Sequence, residues 1–215
     1  MKGDLALSQQ ERIRKWGHRK YVGGNSPATW YDIGKRQYHF LVSQGLQHHH
    51  KFLDVACGSL RLGQFLIPML DEGNYFGLEP EQELVLKGIE FECLFDVIEV
   101  KKPKFEYNYS FDVNFCEYYD FAMAQSLFTH LNIEDIDRCF SSLSHLAAQG
   151  SRFFFTFSEG KADGNPREAS HAQKKWRYEF HTIEKLANNS GFSCEYIGDW
   201  GHERGQVIAV ATKPA

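Results

Sequence analysis

The spacing of polar and apolar positions changes near residue 51. Upstream the pattern is helical. Ser8 predicts the cap of a first helix ending near His18, charged on most faces, and Tyr21-Val22-Gly23-Gly24-Asn25-Ser26-Pro27 reads as turn. Trp30, Ile33, Phe40 and Leu41 fall near helical spacing, so a second helix is expected from Thr29 to Gln44, with Gly45 as its stop. Downstream, short apolar runs alternate with helix-period segments. Strands are expected at 52–56, 74–78, 105–110, 119–125 and 153–157, and helices at 60–70, from beyond Pro80 to about Glu90, and from an Asn132 cap to Gly150. In the last of these, Ile136, Cys139, Phe140, Leu143, Leu146 and Ala147 recur at steps of three and four. Phe153-Phe154-Phe155-Thr156-Phe157 is apolar on both faces, as in a parallel strand covered on both sides. The tail breaks the alternation: after a helix at 182–190, strands at 193–197 and 206–212 are separated only by Gly198 to Gly205. That is too short for a crossover helix, so the last two strands pair antiparallel. The expected architecture is α/β, a doubly wound, mostly parallel seven-stranded sheet ending in an antiparallel C-terminal hairpin. Residues 1–50 are expected to form an N-terminal helical cap, and residues 51–215 the Rossmann-like domain.

Composition narrows the function classes. Hydrophobic residues make up 42% and charged residues 24%, enough for a buried core. The net charge of −4 gives no general attraction to nucleic acid or to anionic lipid. No apolar run approaches the ~20 residues of a membrane helix. The start, Met1-Lys2-Gly3-Asp4-Leu5-Ala6-Leu7-Ser8, is too short an apolar stretch for a signal peptide. The five cysteines, Cys57, Cys93, Cys116, Cys139 and Cys194, are widely spaced and form no C-x-x-C pair. A disulfide framework and a zinc ribbon are excluded on these grounds, no metal is expected, and a reduced cytoplasmic compartment is.

The sharpest local signal is Asp54-Val55-Ala56-Cys57-Gly58-Ser59-Leu60, set on a strand, turn and helix. Small residues there let backbone approach a ligand closely, and a helix start offers unpaired N–H groups. Glu79 ends the second strand, where an acid can accept both hydroxyls of a ribose. Together these features point to an adenosine-type ligand at the carboxyl ends of the strands.

At these residues the chain resembles the class I S-adenosylmethionine-dependent methyltransferases. Asp54, Ala56, Cys57 and Gly58 match the family's first motif, and Glu79 matches its acid after strand two. Ala56 stands where glycine is usual and Leu60 where a third glycine is common. The run from Trp30 through Ile33, Gly34 and Gln37 to Leu41, the run Gln125-Ser126-Leu127-Phe128-Thr129-His130-Leu131, and His202-x-x-Gly205-Gln206 are similar to a bacterial small-molecule branch. The resemblance implies that Asp54 orients the turn and that Ala56, Cys57 and Gly58 line the methionine part of S-adenosyl-L-methionine. It implies further that Glu79 holds the ribose, with Pro80 beside the adenine. Asp112 takes the adenine amine, with Asn108 and Asn114 as alternatives. Gln125 and Ser126 lie beside the sulfonium carbon, and Ile33, Gly34 and Gln37 roof the cofactor.

Methyl transfer from a sulfonium is an in-line displacement, so the protein mainly aligns the acceptor and excludes water. A base helps only where the acceptor loses a proton. His130, on the loop after strand four, is placed to be that base or to pack against the helix start at Asn132. Trp30, Phe128, His171, Trp200 and His202 are candidate acceptor contacts. Residues 159–181 read either as a substrate-covering loop or as a mobile polar one. His48-His49-His50 reads as a solvated loop, and the Glu11 to Lys20 charges as a solvated face. Amino-methylating DNA enzymes carry two prolines and an aromatic after strand four. Gln125-Ser126-Leu127-Phe128 lacks them, which favours a small-molecule acceptor and no nucleic acid or membrane partner. The alternatives are an S-adenosylmethionine-binding protein with other chemistry, such as intramolecular ring closure, or with no catalysis, and a nicotinamide-dependent dehydrogenase. The last needs G-x-G-x-x-G, and Ala56 to Leu62 holds one glycine.

Overall fold

The computed structural model describes residues 7–94 and 96–214; of the start weighed above for a signal peptide, all but Leu7 and Ser8 lies outside them. The elements run α1 (Gln9–Trp16), α2 (His18–Tyr21), α3 (Pro27–Ser43), β1 (Phe52–Val55), α4 (Gly63–Met69), β2 (Tyr75–Leu78), α5 (Gln82–Glu92), α6 (Val97–Lys101) and β3 (Lys104–Glu106). There follow β4 (Tyr119–Ala124), α7 (Ile133–Leu146), β5 (Ala147–Phe157), α8 (Phe180–Asn189), β6 (Ser193–Asp199) and β7 (Val207–Thr212). The strand order is β3-β2-β1-β4-β5-β7-β6. β1 and β4, β4 and β5, and β2 and β3 pair parallel, while β7 pairs antiparallel with both β5 and β6. The order turns back between β1 and β4, the point at which open α/β sheets bind ligands at their carboxyl ends.

The chain divides into two compact units, residues 1–50 with 57–108, and residues 51–56 with 109–215. In the first, Ser8 caps α1 through a full capping box with Glu11, and Ser26 caps α3 with Pro27 in its first turn. In the second, Asn132 accepts from Asp135 N at 2.9 Å to start α7. The core of this unit is a ring cluster. Phe128, Phe140, Phe153 and Phe155 are each 0% exposed, with centroids 5.1–6.2 Å apart. Burying each ring contributes about 1.5–3 kcal/mol.

Two expectations change. Gly150 does not stop α7: the helix ends at Leu146, and β5 begins at once, six residues before the apolar run. Gly150 sits inside the strand extension at φ 80°, its N–H bonded to Lys213 O at 3.0 Å. The short helix α6 was not anticipated, and the third strand is confined to Lys104–Glu106. Among the described residues no helix is long and apolar enough to cross a membrane.

Candidate functional site

The turn after β1 is built on left-handed backbone. Ala56, Gly58 and Leu60 have φ of 59°, 56° and 59°. These are the alternate positions at which the resembled motif has glycine, and here alanine and leucine adopt its conformation. Each non-glycine residue there costs roughly 1–2 kcal/mol, so other contacts must hold the turn. Cys57 N donates to Leu78 O at 3.1 Å, and Gly58 N donates to Glu79 Oε2 at 3.0 Å. Glu79 Oε1 accepts from Glu81 N at 3.1 Å. The Glu79 carboxylate is 6% exposed and is thus oriented by a backbone N–H on each oxygen. A carboxylate oxygen has a second acceptor site, so this geometry suits a diol. Ser59 Oγ, in the same turn, is buried without a hydrogen-bond partner. Gly77 leaves room beside Cys57: a Cβ there would lie 3.0 Å from Cys57 Sγ and 2.6 Å from the Phe105 ring. Pro80 is half-buried and Asp54 buried.

The N-terminal helices of this unit are held by one carboxylate. Glu92, on α5, has a fully buried side chain. It accepts from Arg19 Nε at 2.6 Å, Arg19 Nη2 at 2.8 Å and Trp30 Nε1 at 3.0 Å, and its Oε1 is 2.7 Å from His18 Nε2. Burial raises its pKa, but the hydrogen bonds from Arg19 and His18 outweigh that, and the net direction is down. Trp30, a candidate acceptor contact, is 0% exposed and is part of this anchor. Ile33 is buried, and Gly34 is glycine for packing: a Cβ would come within 2.6 Å of Arg61 O and 2.7 Å of the Phe65 ring. Gln37 is 4% exposed, with Oε1 buried and unpartnered. The charges from Glu11 to Lys20 are not a uniformly solvated face, because Arg12 is 3% exposed and Arg19 pairs with Glu92.

In the second unit the residues after β4 meet the final hairpin. Ser126 has φ 60°, a strained position for serine. Its N–H donates to Thr156 Oγ1 at 2.7 Å, and Thr156 donates to Gln206 Oε1 at 2.8 Å. Ser126 Oγ accepts from Nε2 of Gln125 and of Gln206, each at 2.7 Å. The Gln125 amide nitrogen lies 3.1 Å from His202 Nε2, and the Trp200 ring stacks on His202 at 5.4 Å. The network thus joins Gln125, Ser126 and His202, which the sequence singled out, through Thr156 and Gln206, to which it gave no role. Thr156 was hidden inside an apolar strand.

His130 Nδ1 lies 2.6 Å from Lys174 O. A carbonyl only accepts, so Nδ1 carries the proton and Nε2 is the basic nitrogen of a neutral ring. Burial lowers its pKa, opposed by the hydrogen bond to Lys174 O. Among the described residues Nε2 has no hydrogen-bond partner. The segment that carries Lys174 is not free polar loop. His171 N donates to His130 O, Trp176 N to Thr129 O, and Tyr178 Oη to Leu131 O. Trp176 is 1% exposed. Phe128, a candidate acceptor contact, belongs to the ring cluster and is 0% exposed. Asp112 is exposed and accepts from Ser110 Oγ at 2.5 Å.

No family model matches this chain, and no curated protein does. Solved structures do. Magnesium protoporphyrin IX methyltransferase from Synechocystis PCC 6803, solved with S-adenosylhomocysteine, superposes with a TM-score of 0.65 at 16% identity over 95% of this chain and 99% of its own. A S-adenosylmethionine-dependent methyltransferase from Clostridium acetobutylicum gives 0.66 at 12% identity over 97% and 100%. Human N-acetylserotonin methyltransferase, solved with S-adenosylmethionine, gives 0.67 at 12% identity over 97% of this chain and 57% of its own. These structural neighbours are class I S-adenosylmethionine-dependent methyltransferases, and the fold of this chain is theirs.

Proposed function

We propose that the chain transfers a methyl group from S-adenosylmethionine to a small-molecule acceptor. The observation that carries this reading is the Glu79 carboxylate, fixed by Gly58 N and Glu81 N at the end of β2. The buried, unpartnered Ser59 Oγ and Gln37 Oε1 fit a ligand with polar groups at this turn. Glu79 would hold the ribose hydroxyls, Gly58 and Cys57 the thioether side, and Pro80 the adenine. When bound, S-adenosylmethionine supplies a methyl already activated on a sulfonium. The chain's own work is therefore alignment and exclusion of water.

For that work Ser126 and Gln125 are the positioning pair, fixed by Thr156 and Gln206. His130 takes the acceptor's proton at Nε2 where the acceptor must lose one, its ring aimed by Lys174 O. His202 and Trp200 contact the acceptor, and residues 1–50 act as the cap that Glu92 anchors. A small acceptor agrees with the net charge of −4 and with the sequence after β4.

Glu79→Ala tests the ribose assignment. It removes acceptors for two hydroxyls, each charge-assisted bond being worth about 1.5–3 kcal/mol. Calorimetry with S-adenosylhomocysteine is expected to show affinity lowered at least about tenfold. Equal affinities for wild type and variant would remove Glu79 from the ligand.

A further inference from the structure

His202 faces a donor at each ring nitrogen. It is 5% exposed, on the link between β6 and β7, and its Nδ1 accepts from Arg204 N at 3.3 Å. A backbone N–H only donates, so Nδ1 is the bare nitrogen and Nε2 carries the ring's proton. A second proton would set Nδ1–H against the Arg204 N–H, so the ring holds one. Nε2 lies 3.1 Å from the amide nitrogen of Gln125, which also only donates. Two N–H groups thus meet at hydrogen-bond distance. The imidazole is held in place, since Trp200 stacks on it at 19° between planes and is itself tied to Gln206 O through Nε1 at 3.1 Å. Turning the Gln125 amide end for end removes the conflict. Its oxygen then takes the place of the nitrogen and accepts from His202 Nε2–H and from Ser126 Oγ–H, at the same 3.1 Å and 2.7 Å. Ser126 Oγ still accepts from Gln206 Nε2, Gln206 Oε1 from Thr156 Oγ1, and Thr156 Oγ1 from Ser126 N. Every donor of this cycle then meets an acceptor, and the cycle is buried behind Gln125, with Thr156 0% and Gln206 6% exposed. The amide N–H groups pass to the side away from His202. Gln125 is half-buried and directly follows β4, which neighbours β1 at the point where open α/β sheets take their ligands.

We propose that Gln125 is a specificity-determining residue that donates an amide N–H to an oxygen of the methyl acceptor, and that His202 is the positioning residue that turns the amide to do so. The acceptor therefore carries an oxygen without a hydrogen, the carbonyl of a ketone, ester or amide. With the amide turned the other way, Gln125 would offer its oxygen and select a hydroxyl or an amine. That the ligand is a methyl acceptor rests on the methyl-transfer reading above; the orientation of the amide does not.

The test has two parts, both by nuclear magnetic resonance on the full chain loaded with S-adenosylhomocysteine. The first reads the nitrogen resonances of the His202 ring in wild type, which are expected to show the proton on Nε2. The second titrates acetophenone and α-methylstyrene, two probes of one shape that differ by C=O against C=CH2. Wild type is expected to bind acetophenone at least about tenfold more tightly, with the side-chain amide resonances of Gln125 shifting as it binds. Gln125→Glu keeps an oxygen toward His202 and Ser126 but offers no N–H outward, and should lose the preference. His202→Gln keeps an N–H at the place of Nε2 and should retain it, whereas His202→Leu should lose it. A proton on Nδ1 would overturn the proposal. So would equal binding of the two probes, or binding of neither, by wild type. These wild-type measurements decide the matter even where a variant fails to fold. Wild type that does not bind S-adenosylhomocysteine would instead overturn the methyl-transfer reading, and the same spectra and titrations on the unloaded chain would still decide the role of Gln125.

Discussion

Glu92→Ala is expected to destabilise the native chain by about 3 kcal/mol, at the lower end of what removing one partner of a buried ion pair costs. The substitution leaves Arg19, His18 and Trp30 Nε1 without their common acceptor. The lower end applies because the Arg19 side chain is 31% exposed and regains water. At about 2–4 °C per kcal/mol for a chain of this size, the melting temperature should fall by about 6–12 °C. The pH dependence has a definite sign. The native pKa of Glu92 is below its ordinary 4.5, so its contribution is complete above that value and is lost as pH falls through the native pKa. Wild type and variant should therefore differ fully at pH 7 and converge in acid. Limited proteolysis should also cut the variant faster between α1 and α3, since α2 and α3 lose their anchor on α5. Equal melting temperatures would mean that Glu92 does not hold the N-terminal helices.

His130→Asn is expected to lower kcat about 100-fold or more while leaving S-adenosylhomocysteine affinity and melting temperature nearly unchanged. Asparagine keeps an N–H that can reach Lys174 O, so the loop contact survives, but nothing remains to accept a proton at Nε2. Burial lowers the native pKa below the ordinary 6.5, so the ring is neutral at pH 7. The acid limb of the kcat/KM profile should accordingly fall below pH 6.5, and the variant should lack it. A variant that melts lower and loses cofactor affinity together would instead make His130 a packing residue of the turn stitched to His171 and Trp176.

Much of the fold was legible because burial leaves a periodic trace. The Phe153–Phe157 run, the α7 heptad-like steps and the short link between the last two strands each specify one arrangement. The N-terminal half of β5 left no such trace, since Ala147 to Gly150 are small or polar and Gly150 resembles a helix stop. At the turn, Gly58 and Glu79 were legible by position, but their mutual hydrogen bond was not. Arg12 and Glu92 escaped for a common reason. A charged residue on a surface helix reads as solvated, and only the tertiary neighbour tells whether it is buried and paired, as Glu92 is, or buried and unpaired, as Arg12 is. Thr156 escaped because one hydroxyl among four phenylalanines does not disturb an apolar run.

The central claim, that the Gly58–Glu79 turn holds an S-adenosyl ligand, is tested most directly by calorimetric titration of the wild-type chain with S-adenosylhomocysteine and, separately, with NAD. Glu79 alone suits the ribose of either, but the single glycine between Ala56 and Leu62 does not suit a pyrophosphate. The account predicts one-to-one binding of S-adenosylhomocysteine and no heat with NAD. Saturable binding of NAD with none of S-adenosylhomocysteine would contradict it.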